Sequence, residues 1–445
     1  MDKEFFIDNQ TTTDLQIFDL LNPDQSLFAF FDHTTTIGGR ARLKEFFKYP
    51  FSDIDKLRER TDNIKFFYDS SIKITFDRQS VDFIEFYLNK SDKPLHFSHY
   101  KAYKNAIRNR LSPDHDYYTK RRGVSEVYSL MKLLKGFCEQ VDLNNTIELV
   151  KKLEELVDTV LNEFKKKETK GFQRLIRIER EDFFIHKTHF LKIKSILKIV
   201  YEIDALQAAA ISSQRNRLSF PIYISSAEHK IDLEDLFHPF LNSPVSNNIN
   251  FEVSKNVCII TGANMSGKST LIKAMGISVF LAHIGFPVPA KKMETSVFDG
   301  LLTTINLADN LAQGYSHFYS EVLRLKFVAQ KLKEKKALFV IFDELFRGTN
   351  VKDAYDSSLL IINVFSKIPN SFFVISTHIV EVANELINNR NICFKFFETN
   401  NNHSKPHFTY RLLEGITGER LGTWILQNEG VVDLLLESAR NDIKP

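Results

Sequence analysis

The stretch IITGANMSGKSTLIKAM, Ile259 to Met275, decides how the second half of this chain is read. It holds the spacing G-x-x-x-x-G-K-[ST] in Gly262, Gly267, Lys268 and Ser269. The apolar run NVCII precedes it and LIKAMGISVFLAHIG follows with helical periodicity, so strand, glycine-rich loop and helix succeed one another. In such a loop backbone N–H groups close around phosphate oxygens, and the helix N-terminus adds the positive end of its dipole. The expected nucleotide-binding segment is therefore Gly262, Ala263, Asn264, Met265, Ser266, Gly267, Lys268, Ser269 and Thr270. Lys268 is expected to reach the β- and γ-phosphates of ATP, and the Ser269 hydroxyl to ligate Mg²⁺. A plain glycine turn before a helix accounts for the two glycines but not for the adjacent Lys-Ser.

Downstream, ALFVIFDE ends an apolar strand on Asp343 and Glu344. Adjacent carboxylates at the end of a buried strand are costly unless something cationic offsets them. Mg²⁺ held through water by Asp343 would do so, leaving Glu344 to orient and polarise an attacking water. The simpler alternative is an acidic pair that caps the next helix. A further strand, FFVISTH, ends at His378, placed to sense the γ-phosphate, although a histidine taken alone is ordinarily a core or surface residue. Lys268, Glu344 and His378 form the candidate catalytic set, with Ser269 and Asp343 as candidate metal ligands.

The chain has 445 residues, about three domains' worth at roughly 150 residues each, so it can bury a full core. A net charge of +3 excludes global basicity as a sign of nucleic acid, and any such surface must be local. The start MDKEFFIDNQ is broken by charge and no apolar run is long enough for a membrane span, which points to a cytoplasmic chain without a membrane partner. Cys138, Cys258 and Cys393 stand apart among apolar neighbours with no CxxC spacing, and read as reduced core residues.

The first half has helical texture. TIELVKKLEELVDTVLNEFKKK, Thr146 to Lys167, carries apolar residues at i, i+3, i+4, i+7 with Asn145 as N-cap, and a second long helix is expected from about His189 to Gln214. Such helices suit either an ordinary bundle or a moving lever. After Phe220 come short runs, FPIYI, NVCIITG, ALFVIFDE and SFFVIST, that read as buried parallel strands, and ICFKFFE with HFTYRLLEG reads as an antiparallel hairpin at the sheet edge. The expected division is a helical domain over 1–218 and an α/β domain over 219–445.

Glu after the strand-end Asp, with a His after the next strand, resembles the ABC-type P-loop ATPases, which complete their sites across a dimer. The neighbouring residues resemble the MutS mismatch-repair family: TGANMSGKST is similar to TGPNMGGKST, FDELFRGT to MDEIGRGT, and IGFPVPAKK to IGSYVPAQK. GYSHFYSEV resembles the family's signature segment STFMVEM, which implies that Ser316, Phe318 and Glu321 act in trans on the partner's nucleotide. DHTTTIGGRARLKEFFKYPFSDIDKLRERTDNIKFFYD, Asp32 to Asp69, is similar to the start of the family's core or lever domain, and YRLLEGITGERLG to the end of its ATPase domain.

The resemblance implies an ABC-type ATPase domain after a helical lever, a homodimer, ATP and Mg²⁺ as ligands, and DNA as partner in repair or recombination. Departures are visible too. The lever-like segment begins near residue 30, so the mismatch-reading and connector domains are expected to be absent, and only KETKGFQRLIRIEREDFFIHKT stands where the family inserts a DNA-gripping clamp. Val245 stands nearest to where the family places an aromatic against adenine. Candidate DNA contacts are Lys120, Arg121, Arg122, Lys165, Lys166, Lys167, Lys170, Arg174, Arg177 and Arg180, but Glu163, Glu168, Glu179 and Glu181 are interleaved, as on solvated helix faces. The other function left open is a nucleotide-dependent protein-interaction switch that no longer binds DNA.

Overall fold

Leu338–Asp343, the run LFVIFD, is buried at every position, and the rest of the α/β part is arranged around it. In the computed structural model all residues are described except 1–3, 19–21, 23–24, 71, 91–96, 142–145, 166–175, 226–227, 307–316, 336, 401–406, 418–429 and 442–445. The strands are β1 (Phe6–Ile7), β2 (Ile222–Tyr223), β3 (Ile231–Leu236), β4 (Asn247–Phe251), β5 (Val257–Thr261), β6 (Lys292–Thr295), β7 (Gly300–Thr304), β8 (Leu338–Asp343), β9 (Phe372–Ser376), β10 (Ile392–Asn400) and β11 (His407–Glu414). Seven of them form one sheet in the order β1-β7-β8-β9-β5-β10-β11. Every pairing in it is parallel except β10 with β11, the edge hairpin expected of ICFKFFE and HFTYRLLEG.

β5, β8 and β9 read as continuous apolar runs because both faces of the sheet are covered, so no solvent face imposes alternation. The register then sets the site. Ser376 at the end of β9 pairs with Ile260 of β5 on one side and with Asp343 of β8 on the other. The carboxyl ends of three central strands therefore finish level, where open α/β sheets bind ligands.

FPIYI is not a strand of this sheet. It contributes the two-residue β2 to a second, four-stranded sheet in the order β2-β6-β3-β4, with Ile222 50% exposed. Pro221 has no N–H to give a ladder, which suits this run to a short peripheral strand.

The chain divides into two compact units, Met1–Phe30 with Tyr49–Thr61 and Asn216–Pro445, and Phe31–Lys48 with Asp62–Arg215. This differs from a single cut at residue 218, and the reason is polar stitching of the N-terminal segments to the large sheet. β1 extends β7 in parallel, and buried Asp14 accepts hydrogen bonds from Thr303 Oγ1 at 2.7 Å and from the N–H groups of Ile305 at 2.9 Å and Asn306 at 3.1 Å. Ser52 Oγ donates to Phe298 O at 2.7 Å, and Phe51 N–H to His283 O at 2.9 Å.

The other unit is helical. Helices Glu148–Lys165 and Phe190–Asn216 form where the 3.6-residue periodicity places them, and Val150, Leu153, Val157 and Val160 are fully buried. The predicted cap Asn145 lies outside the described residues. Asp204 is buried within helix Phe190–Asn216 and accepts from the N–H and hydroxyl groups of both Thr35 and Thr36, at 2.7 to 3.1 Å, just ahead of helix Ile37–Lys48. A Cβ on Gly39 would lie 2.1 Å from the Asp204 carboxylate, so only glycine permits this approach. Asp204→Ala strips those four donors of their acceptor and is expected to destabilise the helical unit by about 3 kcal/mol, read as a lower denaturant midpoint; a change within about 0.5 kcal/mol contradicts this assignment.

Candidate nucleotide-binding site

The loop Gly262–Gly267 joins β5 to helix Lys268–His283. Gly262 and Gly267 have φ of 150° and 106°, conformations that L side chains rarely adopt, so the turn itself demands both glycines. Lys268 is 5% exposed, and its Nζ donates to Gly262 O at 2.7 Å and Ala263 O at 3.0 Å. Burial pulls its pKa below the ordinary lysine value, aided by the Arg347 charge. The Ser266 hydroxyl is buried without a hydrogen-bond partner.

Asp343 ties the loop to the neighbouring strands. Ser269 Oγ donates to Asp343 Oδ2 at 2.6 Å, and Ser376 Oγ donates to Asp343 Oδ1. Arg347 Nη2 donates to the Asp343 carbonyl at 2.7 Å, while Arg347 Nε lies 3.0 Å from Glu344 Oε2. Glu344 itself has φ of 62°, a left-handed conformation uncommon outside glycine, and its N–H is held by Ser376 O at 3.1 Å. This turn sets the Glu344 carboxylate 3.4 Å from His378 Nδ1. The hydrogen bond to His378 holds Glu344 below the usual carboxylate range, and the same bond raises His378 above the ordinary imidazole value.

Lys268, Ser269, Asp343, Glu344 and His378 thus lie together at the carboxyl ends of the central strands β5, β8 and β9. Phe318 and Glu321 lie in the same chain against the segment after β8: the Phe318 and Phe346 rings are 5.6 Å apart, and Glu321 Oε1 accepts from Arg347 N–H at 3.0 Å. A Cβ on Gly348 would lie 2.4 Å from Phe318 N, so this docking needs the glycine of FRGT. Ser316 lies outside the described residues.

Some of the site was missed in the sequence. Ser376 and Arg347 grip Asp343, yet their only signal was their place inside SFFVIST and FDELFRGT. A cavity of about 500 Å³ beside the loop is lined by Asn264, Met265, Lys268 and Glu344, and also by Val245, His238, Phe397 and Tyr410. Val245 is therefore accompanied by aromatic rings. Burial, with the charge of Lys273, depresses His238 to about 4, so at neutral pH it presents an uncharged ring.

Three of the ten candidate DNA contacts, Lys120, Arg122 and Arg177, have ion-pair partners within the helical unit. Lys120 pairs with Asp116 and Glu179, Arg122 with Glu126, and Arg177 with Glu181, while Arg121 is exposed. Lys166, Lys167, Lys170 and Arg174 lie outside the described residues, as does the Lys165 side chain. Among the described residues no helix is long and apolar enough to cross a membrane, and no group of three or more His, Cys, Asp or Glu could hold a metal ion.

A mixed α/β protein with a lysine- and serine-bearing glycine loop at its strand ends is the class that the fold and site define. Residues 10–322 match the family described as MutS domain III, and residues 258–444 match MutS domain V. The chain belongs to the MutS family. It is 27% identical over 257 residues to the DNA mismatch repair protein MutS of Streptococcus thermophilus, covering 56% of this chain and 29% of that protein. It is 28% identical over 297 residues to the MutS of Bacillus cytotoxicus, covering 63% and 32%, and 28% identical over 306 residues to the DNA mismatch repair protein MSH3 of Candida glabrata, covering 66% and 29%. The matched region spans less than a third of the length of these relatives.

The pairing of His378 with Glu344 has a pH signature. A raised imidazole contributes stability below its ordinary value and loses it as pH rises through the raised one; a lowered carboxylate contributes above its ordinary value and loses it as pH falls. The pair is thus fully formed in the weakly acidic window between them. In Glu344→Gln the His378 titration, followed by NMR of the ring protons, is expected to move to lower pH; an unchanged midpoint overturns the pairing.

Proposed function

We propose that this chain is an ATP-hydrolysing molecular switch of the MutS type that acts as a dimer in DNA repair or recombination. In this reading residues 219–445, with the N-terminal segments 1–30 and 49–61 that share their compact unit, form a P-loop ATPase domain of ABC type, and the helical unit is the lever. The observation that carries it is the contact of Ser269 with Asp343 at 2.6 Å beside the buried ammonium of Lys268. A hydroxyl and a carboxylate side by side are the hard oxygen donors that Mg²⁺ takes, and the partnerless Ser266 hydroxyl in the same loop suits a phosphate acceptor.

The chemistry is attack of water on the γ-phosphorus of ATP, giving ADP and phosphate. Glu344, kept ionised by His378 and Arg347, accepts a hydrogen bond from that water and takes its proton. Lys268 places positive charge where the transferring phosphoryl oxygens gain negative charge. Ser269 and Asp343 would hold Mg²⁺, which would supply further charge neutralisation when bound. Gly262 to Thr270 wrap the phosphates, and the uncharged His238 ring with Tyr410 and Phe397 offers apolar surface to the base. Ser316 of a second copy completes the γ-phosphate shell, with Phe318 and Glu321 fastening the helix behind it.

Steady-state hydrolysis tests this directly, alone and with homoduplex, mismatched and branched DNA. Lys268→Ala is expected to lose activity by about 10²-fold or more, and Glu344→Gln to stop turnover while still binding ATP; turnover at the normal rate in either variant overturns the site.

A second reading is a nucleotide-dependent switch for a protein partner rather than DNA: Lys120, Arg122 and Arg177 each have a carboxylate partner, although the Arg122 and Arg177 side chains stay more than half exposed. Duplex binding across a salt series separates the two. A phosphate-gripping surface gives affinity that falls steeply and linearly on a log-log plot. Absence of binding at every salt concentration selects the protein-partner switch.

A further inference from the structure

Cys258 and Cys393, 135 positions apart in the sequence, become direct partners in the fold. They face each other in register on the parallel strands β5 and β10. Neighbouring strands lie about 4.8 Å apart, inside the roughly 4.4–6.8 Å Cα separation that a disulfide spans. The two sulfurs differ in surroundings. Cys258 is fully buried, whereas Cys393 is partly exposed and lines a cleft of about 190 Å³ together with Lys255, Lys395, Glu252 and Glu414. Lys395 is 6% exposed, shares the Cys393 face of β10 two residues on, and is ion-paired with Glu414.

We propose that Cys393 and Cys258 form a peroxide-responsive thiol couple, in which Cys393 is attacked from the cleft and Cys258 resolves it as a reversible β5–β10 disulfide. The Cys393 thiolate attacks one oxygen of a hydroperoxide, the O–O bond breaks, and the leaving hydroxide or alkoxide takes up a proton. Cys393 is then a sulfenic acid. The Cys258 sulfur next attacks the Cys393 sulfur, the S–O bond breaks, and the Cys258 proton leaves with the departing oxygen as water. Two thiols are oxidised by two electrons and one peroxide is reduced, so no further reactant is needed.

The division of roles follows from the environment. Cys393 opens on the cleft beside Lys395 and Lys255, whose charges favour its thiolate, while Cys258 is fully buried. That makes Cys393 the nucleophile and Cys258 the reserve. Cys138 supplies an internal control, since burial pushes its thiol up to about 11. The position of the β5–β10 bridge is consequential: β5 runs directly into Gly262, and Phe397 of β10 packs 3.3 Å from where a Gly262 Cβ would stand.

The test is peptide mapping of the full chain, first reduced and then exposed to hydrogen peroxide, with iodoacetamide blocking and a dimedone trap. The expected products are a Cys258–Cys393 cross-linked peptide, lighter by two hydrogens and reversed by dithiothreitol, with Cys393 consumed more than about tenfold faster than Cys138. Cys258→Ser should instead accumulate a dimedone adduct on Cys393, and Cys393→Ser should leave Cys258 unmodified. Equal rates at Cys393 and Cys138, or a disulfide that joins other cysteines or two chains, overturns the couple. The wild-type measurement decides even if a serine variant fails to fold.

Discussion

A buried carboxylate at the end of a hydrophobic strand must be satisfied or the strand cannot end there, and Asp343 is that carboxylate. Ser269 satisfies one oxygen from the start of the loop helix, Ser376 the other from β9, and Arg347 closes over both the side chain and the carbonyl. These contacts draw three stretches, far apart in sequence, to one point. The left-handed turn at Glu344 follows from the same constraint, because Ser376 holds its N–H while β8 stops. Its carboxylate is thereby delivered to His378 and Arg347, so one polar cluster arises from the satisfaction of one buried carboxylate.

The helical unit obeys an analogous rule. Asp204 is buried in a long helix and satisfied by the backbone and hydroxyls that open another, with Gly39 leaving the room that its carboxylate needs. Buried polar groups of this kind fix one arrangement of helices where apolar periodicity alone would allow several. In each unit a single buried carboxylate fixes where a helix begins.

The parts that read clearly from sequence are those whose signal is local. Val257–Thr261 and Leu338–Asp343 announce themselves as buried strands by unbroken apolar content, the loop by its glycines, and Glu148–Lys165 by its periodicity. What failed to show depends on contacts between distant positions. Asp14 and Ser52 carry no pattern that assigns them to the sheet, and Cys258 and Cys393 look isolated until strand order makes them neighbours. The pairs of Lys120 with Asp116 and Arg122 with Glu126 follow from i,i+4 spacing on one helix, but the pairing of Lys120 with Glu179 was not visible, because it depends on which helix faces meet. Likewise Val245 gave no sign of the rings of His238 and Tyr410, which reach the cavity from segments with no phosphate-loop motif of their own.

The central claim is that Ser269 and Asp343 hold a metal-bound nucleotide in concert with Lys268. Calorimetric titration of the intact chain with ATP, with Mg²⁺ and then with the metal chelated, tests it most directly. Binding that is saturable, tightened by Mg²⁺, and insensitive to the metal once Asp343 is replaced by asparagine is the predicted result. Affinity that is the same with and without Mg²⁺ in the unaltered chain, or no binding under either condition, would contradict the account.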